Sequence, residues 1–276
     1  MSIAVAAIRR NNAVAKWIAF GLQCLIAVSF EAGDDLTRGL FSQHGSIQGV
    51  QNARNVVGFE VSHGLFIEPA MQAFFLQTHR FLVFTVSWLD IAHVMNGIYL
   101  LCHVFCTLGV AIWVYFYRKP FFRLFRNSIM LTNAFALVVY ENFPVAPPRV
   151  LPTVTVGHRA FHFLDTMYGI FNGGKIVGTQ VGFNEFSAMP SVHMCWAIII
   201  SGSVILLARP LWIRVAAALY PLVMLVAIVV TANHFLLDAI GSLFVVALSV
   251  LAALSYEWWR GAFAWSRSRR QNAGAI

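Results

Sequence analysis

Six apolar segments, nearly free of charge, divide this sequence. They cover approximately residues 13–30, 91–117, 127–140, 191–208, 213–230 and 235–256. A helix that crosses a bilayer needs about 20 mostly apolar residues. Charged residues make up 11% of the chain, against about 25% in soluble domains, which excludes a water-soluble or disordered protein. The sequence therefore predicts an all-α integral membrane fold: one polytopic domain over residues 1–276, with six transmembrane helices.

The basic residues are sorted between the loops. With the N-terminus in the cytoplasm, the cytoplasmic side receives Arg9, Arg10, Lys16, Arg118, Lys119, Arg123, Arg126, Arg209, Arg214, Arg260, Arg267, Arg269 and Arg270. The opposite side receives Arg38, Arg54, Arg80, Arg149, Arg159 and Lys175. This is the positive-inside pattern, so the net charge of +8 indicates topology and not a nucleic-acid partner. We expect a multi-pass protein of a bacterial plasma membrane, with both termini, including a basic tail at 260–276, in the cytoplasm.

The first span allows a second interpretation. Arg9, Arg10 and Lys16 precede a short apolar run, and Ala-Val-Ser at 27–29 resembles a cleavage site, as in a signal peptide. The topology downstream is the same in either case. No oligomeric state follows from the sequence.

Two long segments, residues 31–90 and 142–190, fall on the extracytoplasmic side. In residues 56–76, polar residues such as Glu60 and Glu68 interrupt an apolar pattern, which predicts one or two helices lying along the membrane surface. Residues 142–190 are rich in proline and glycine. Long connections of this kind are often functional.

Four residues at the extracytoplasmic ends of the spans are candidates for catalysis, since ionisable groups at such positions are often functional. His234 and Asp238 are four residues apart and can touch on a helix. A carboxylate on one imidazole nitrogen raises the basicity of the other, which makes His234 a candidate nucleophile. His193 is a candidate proton donor, and Arg149 offers a forked donor to phosphate oxygens.

The start of the fourth span adds further groups. Pro190 and Ser191 precede the helix, whose free N–H groups suit an anion, and the Ser191 hydroxyl is a candidate phosphate ligand. On the second span, His103 either reaches the site from behind or makes a helix–helix hydrogen bond. No carboxylate cluster of metal-site type accompanies the histidines, and the four cysteines lack a zinc-ligand pattern, so we expect neither metal nor cofactor.

Three motifs carry a family resemblance. They are residues 143–149 (Phe-Pro-Val-Ala-Pro-Pro-Arg), 188–193 (Ala-Met-Pro-Ser-Val-His) and 233–238 (Asn-His-Phe-Leu-Leu-Asp), with weaker likeness at 96–103 and 163–166. Over about residues 60–245 the chain resembles the type 2 phosphatidic acid phosphatase superfamily. It looks closest to the branch with inositol phosphorylceramide synthases, or inositolphosphotransferases.

The resemblance implies a six-helix bundle and a metal-independent phosphohistidine mechanism. His234 would attack phosphorus, Asp238 would support it, and His193 would protonate the leaving group. The chain departs from the phosphatase pattern at Asn142, Val150, Val192 and Ile228, where that pattern has lysine, proline, glycine and arginine. Other donors would then complete the phosphate pocket, with candidates Lys175, Arg159 and Asn233, and with Asp165 in a supporting role.

The function expected from these features is cleavage or transfer of a phosphate ester of an amphipathic substrate at the extracytoplasmic face. The substrate would be a lipid phosphate or a phospholipid headgroup. Two alternatives stay open: a transporter or channel with a His/Asp proton relay, and a non-catalytic lipid-binding member of the family.

Overall fold

The computed structural model of the protein describes residue 14 and residues 16–22, 46–80, 85–151, 153–166 and 186–273. Most of these residues are helical. The labelled helices are α1 (Ser46–Ser62), α2 (Glu68–Phe75), α3 (Trp88–Gly97), α4 (His103–Tyr117), α5 (Lys119–Asn142), α6 (Val192–Leu207), α7 (Leu211–Val230) and α8 (Leu236–Ala273). Two antiparallel hairpins pair β1 (His79–Arg80) with β2 (Thr85–Val86), and β3 (Val154–Val156) with β4 (Arg159–Phe161).

Helices α3 and α4 form one continuous apolar rod. A capping box between Ser87 and Asp90 begins it, because the side chain and backbone of each residue satisfy the other's free polar groups. A single π-helical turn, Ile98–Cys102, interrupts the regular geometry. Such turns occur often at functional sites, and this one contains Tyr99 and directly precedes His103.

The predicted helical membrane fold is supported, whereas six crossings stay a prediction. In the described part of the chain, Trp88–Tyr117, Leu211–Val230 and Leu236–Gly261 are long and apolar enough to cross a membrane, and Val192–Leu207 is a shorter apolar helix. The predicted span at 127–140 is a helix that begins eight residues earlier, at Lys119. Of the predicted span at 13–30, residues 14 and 16–22 are described, and they are helical.

The long helices pack in pairs, and the described residues form three apolar cores. Helix α6 lies against α7, and α5 lies against α8. One core, around Val114, Phe122 and Ile199, fills the bundle. A second core, which includes Val56 and Phe235, joins α1 to the loops at one end of the bundle. Burial of apolar side chains there fixes those loops.

The two ends of the bundle differ in chemistry. At one end, Arg118 donates a hydrogen bond from Nε to the carbonyl oxygen of Leu207, 3.2 Å away, and so ties the α4–α5 connection to the α6–α7 connection. The end of α5, the start of α6 and the α7–α8 turn meet at the other end. This second end carries all four candidate residues.

The segment at 56–76 forms two helices, but its polar side chains point into the protein. Glu60, Glu68 and Gln72 are buried. Gln72 donates from Nε2 to the carbonyl oxygens of Leu164 and Val230, each 3.0 Å away. Helices α1 and α2 therefore cover the second end of the bundle through specific polar contacts.

Candidate active site

Backbone hydrogen bonds join the three motifs into one structure. Val145 and Ser187 pair in a short parallel bridge, in which the Val145 N–H donates to the Phe186 carbonyl at 2.7 Å and the Ala188 N–H donates to the Val145 carbonyl at 3.1 Å. The Arg149 N–H donates to the Ala232 carbonyl at 2.9 Å, and the Ser191 N–H to the Asp238 carbonyl at 3.4 Å. Segments far apart in sequence thus hold one another in place.

The turn between α7 and α8 presents the third motif. Ala232 has a positive φ of 53°, an uncommon conformation for a residue with a Cβ atom. The N–H groups of Asn233 and His234 both donate to the carbonyl of Ile228, at 3.1 and 3.2 Å. The turn therefore stops α7 sharply and places Asn233 and His234 side by side.

His234 is buried and held through one ring nitrogen. Its Nδ1 atom lies 2.8 Å from the carbonyl oxygen of Ala188 and 3.4 Å from Oδ2 of Asp238. Since a carbonyl oxygen only accepts, Nδ1 carries the hydrogen and the neutral ring keeps its lone pair on Nε2. That tautomer is the one a nucleophilic imidazole needs.

His234 and Asp238 were expected to lie four residues apart on one helix. This expectation is wrong, although the two side chains do meet. Helix α8 begins at Leu236, so His234 lies before it. Asp238 turns back instead, and its Oδ2 atom accepts the N–H of Phe235 at 2.8 Å. An acidic side chain in the first turn of a helix satisfies a free N–H there, and this cap carries the carboxylate to His234.

His193 is the second residue of α6 and faces His234. The two ring centroids are 6.2 Å apart. Tyr99 stacks on the His193 ring at 4.0 Å, and His103 meets it edge-on at 4.4 Å. The Nδ1 atom of His103 itself bonds the Tyr99 carbonyl. Tyr99, from the π-helical turn, and His103, the first residue of α4, thus contact the His193 ring on two sides.

Arg149 lies beside the α7–α8 turn. Its Nε atom donates to Oδ1 of Asn233 at 2.9 Å, and Nη1 lies 3.5 Å from Oδ2 of Asp165. The Arg149 side chain is 8% exposed. Asn233 donates in turn to the Thr231 hydroxyl at 2.8 Å. The guanidinium is therefore fixed next to His234.

The two weaker motif segments also meet. Asn96 donates to the carbonyl oxygen of Thr166 at 2.8 Å and accepts from the Thr166 hydroxyl at 3.1 Å. Gln72 and Asn96 hydrogen-bond to the carbonyl oxygens of Leu164 and Thr166, the two neighbours of Asp165. These bonds hold Asp165 beside Arg149.

Other predicted site residues lie elsewhere or act structurally. Ser191 is the N-cap of α6 and accepts the Met194 N–H at 3.4 Å. Arg159 lies exposed on β4, and Lys175 is outside the described residues. At the positions that depart from the phosphatase pattern, Asn142 donates to the Val138 carbonyl on its own helix, and Ile228 is buried in a core.

Glu60 and Glu68 are the residues at this site that the sequence did not single out as functional. Oε1 of Glu68 accepts the Leu236 N–H at 2.6 Å, and Oε1 of Glu60 accepts the Leu237 N–H at 2.7 Å. The sequence does show two acidic residues in an apolar segment. It does not show that both accept N–H groups from the first turn of α8, because that contact is tertiary.

No group of three or more His, Cys, Asp or Glu side chains in the described ranges is arranged to hold a metal ion. The cluster is instead built of imidazole rings, one guanidinium and carboxylates that accept backbone N–H groups. Groups of these types can serve as a nucleophile, a proton donor and an anion ligand.

Comparison with known proteins identifies the family of this chain. The family model of the PAP2 superfamily matches residues 54–252, a range that includes all three motifs and both weaker segments. Among solved structures, the chain is similar to LpxE of Aquifex aeolicus, with 13% identity, 69% of this chain and 93% of that chain covered, and a TM-score of 0.45. No curated protein matches it. Because the family model spans most of its length, the chain belongs to the PAP2 superfamily, the type 2 phosphatidic acid phosphatases that its motifs resemble.

Proposed function

We propose that the protein is a membrane lipid phosphatase or phosphotransferase that works through a phosphohistidine at His234. The observation that carries this proposal is the arrangement of His234, whose Nδ1 donates to a carbonyl so that Nε2 carries the lone pair, opposite the ring of His193. Nucleophile and acid occupy separate, facing positions. Family membership supports phosphate-ester chemistry on a lipid.

In the first step, Nε2 of His234 forms a bond to phosphorus and the bond from phosphorus to the leaving oxygen breaks. The leaving oxygen takes a proton from His193, which becomes neutral. The imidazole of His234 becomes positively charged, and Asp238, 3.4 Å from Nδ1, stabilises that charge. A carboxylate so placed also fixes the ring orientation.

In the second step, an oxygen nucleophile attacks phosphorus and the N–P bond breaks. Neutral His193 takes the proton of the attacking group. Water gives hydrolysis, and a lipid alcohol gives transfer. The inositol phosphorylceramide synthase-like branch would use an alcohol, and the absence of the lysine and arginine of the phosphatase pattern at Asn142 and Ile228 favours this branch.

Arg149 is the proposed phosphate ligand, together with Asn233. The guanidinium presents N–H groups beyond those that bind Asn233 and Asp165, and a planar fork suits phosphate oxygens. Asp165 orients this fork. Ser191, the cap of α6, is a candidate for a further contact through its hydroxyl, as are Lys175 and Arg159 through their charges.

The test of the proposed function is a panel assay with purified protein in lipid. The substrates are lipid phosphates and headgroup phosphodiesters, each with and without an acceptor lipid alcohol, and the products are resolved as inorganic phosphate or new phosphodiester. Acid-labile phosphohistidine is trapped in parallel. A chain that turns over none of these substrates and traps no phosphoryl group would contradict the proposal and favour a proton-relay transporter or a lipid-binding member.

Topology gives the first prediction. We expect the site to face the extracytoplasmic side, because the positive-inside pattern places the basic loops in the cytoplasm. In a cysteine-free background, Thr153→Cys should react with a membrane-impermeant maleimide added to intact cells. Arg123→Cys, at the other end of the bundle and exposed, should react only after the cells are broken. Reaction of Arg123→Cys in intact cells would reverse the orientation.

Chelation gives the second prediction. In the proposed reaction a side chain fills each role: His234 attacks, His193 transfers the proton and Arg149 binds the phosphate. We therefore expect turnover to survive dialysis against a divalent-metal chelator with less than about twofold loss, whereas a metal-activated phosphoryl transfer stops. Complete loss that magnesium or manganese restores would show that the attacking group is activated by metal.

A further inference from the structure

The three backbone N–H groups that open α8 each donate to a carboxyl oxygen. Phe235 donates to Asp238, Leu236 to Glu68 and Leu237 to Glu60, at 2.8, 2.6 and 2.7 Å. These acceptors come from three different helices. The positive end of the α8 dipole favours such groups. Helices α1 and α2 therefore hold the segment that directly follows His234 through hydrogen bonds.

The two glutamates are both fully buried, each with a relative exposure of 0%. Their carboxyl groups accept from consecutive backbone N–H groups, those of Leu236 and Leu237, and so lie side by side. The second oxygens, Oε2 of Glu60 and Oε2 of Glu68, are buried and have no hydrogen-bond partner in the described part of the chain. Two buried, adjacent carboxylates repel each other, and a single proton between them removes this cost.

We infer that Glu60 and Glu68 share one proton and act together as positioning residues for His234 and Asp238. The inference rests on the proposed function, in which His234 must aim Nε2 at phosphorus. The pair anchors Leu236 and Leu237, and through them the start of α8, against α1 and α2. It does so while adding one negative charge, and not two, beside Asp238.

The electrostatics agree with this geometry. Burial, and then the neighbouring Glu68 carboxylate, raise the pKa of Glu60 from 4.5 to about 9, and burial likewise raises the pKa of Glu68. The charged groups that act on the pair are its own two members, from α1 and α2, and Asp238 from α8. The pair therefore keeps a proton at neutral pH and loses it as the pH rises through about 9.

The activity test compares four variants with the wild-type chain. Glu60→Ala and Glu68→Ala lose an anchor of α8, and we expect kcat to fall by about 10²-fold, the effect of displacing a reacting group by about 1 Å. Glu60→Gln should restore most of kcat, since an amide oxygen accepts the Leu237 N–H and its NH₂ group donates to Glu68. Glu257→Gln, at the opposite end of the bundle, is the matched control.

The pH profile separates positioning from a general structural role. Wild-type kcat should fall as the pH rises through about 9, because a second negative charge appears beside Asp238. Glu60→Gln carries no such proton, so its kcat should lack that fall. If Glu60→Gln and the wild-type chain show the same alkaline profile, or if Glu60→Ala is as active as Glu257→Gln, the inference is wrong.

A stability measurement tests the shared proton without any activity. The native state binds this proton at a pH where an unfolded glutamate, with a pKa of 4.5, has released it. The free energy of unfolding therefore falls with rising pH between 4.5 and about 9. Glu60→Gln should weaken this slope and Glu257→Gln should leave it unchanged. If the slope of unfolding free energy against pH is unchanged in Glu60→Gln, the two glutamates do not share a proton. If the wild-type chain shows no phosphoryl transfer, only the proposed function is wrong.

Discussion

His234→Ala should reduce phosphoryl transfer to background for every substrate. Removal of a nucleophile in comparable enzymes lowers kcat by about 10⁶-fold, and no second group of the described site can form the N–P bond in the same place, since the ring of His193 lies 6.2 Å away. A nucleophile is needed whether the leaving group is poor or good. Natural alkyl esters and activated aryl phosphates should therefore lose turnover alike, and no phosphohistidine should be trapped from either.

Two further variants make this result specific. His234→Asn keeps a donor near the position of Nδ1 that can bond the Ala188 carbonyl, so the buried site stays folded while the nucleophilic nitrogen is absent. It should be as inactive as His234→Ala. His63→Ala removes an exposed histidine whose Nδ1 hydrogen-bonds with the Phe59 carbonyl and the Ser62 hydroxyl at the end of α1, and it should keep wild-type activity. Phosphohistidine formed by His234→Asn would show that another residue is the nucleophile.

Charge and apolar pattern predicted the helices well because these depend on local sequence. The segments at 191–208 and 213–230 correspond to helices Val192–Leu207 and Leu211–Val230 within two residues. The segment at 127–140 was placed too late, since Arg123 and Arg126 suggested a loop. Helix α5 nevertheless begins at Lys119, because Pro120 suits the first turn of a helix.

The residues of the candidate site could be predicted from the sequence, but the hydrogen bonds between them could not. His193, His234, Asp238 and Arg149 were identified from spacing and motif, and they do lie together. Asp238 was the partner expected for one ring nitrogen of His234, and it lies 3.4 Å from Nδ1, whereas the Ala188 carbonyl is closer, at 2.8 Å. That contact depends on the bridge between Val145 and Ser187, which are 42 residues apart, and the local sequence pattern does not reveal it.

The polar residues of α1 and α2 show a second limit. A sequence in which glutamates interrupt an apolar run suggests an amphipathic surface helix. Glu60 and Glu68 instead accept hydrogen bonds from backbone N–H groups of α8, which lie 177 and 168 residues away in the sequence. Buried acidic residues of this kind become interpretable only when the N–H groups that they accept are known.

His193→Ala should separate the two chemical roles by substrate. A general acid contributes in proportion to how poor the leaving group is, commonly about 10²- to 10⁴-fold. Turnover of an alkyl phosphate ester should fall by about that factor, because an alkoxide leaves poorly without a proton. An activated aryl phosphate releases a stable phenolate, so formation of the phosphoryl-enzyme from it should be largely retained. Rapid-quench trapping of acid-labile phosphohistidine, with phenolate release followed in the same mixing experiment, measures both.

The retained step in His193→Ala should still depend on His234, which the double variant with His234→Asn tests directly. In the second half-reaction neutral His193 accepts the proton of the attacking water or alcohol, so breakdown of the intermediate should also slow, and the phosphoryl-enzyme should accumulate after one fast turnover. His158→Ala, an exposed histidine on the β3–β4 hairpin, is the control and should show neither effect. Absence of the intermediate in His193→Ala with its presence in His234→Ala would mean that His193 attacks phosphorus and His234 transfers the proton.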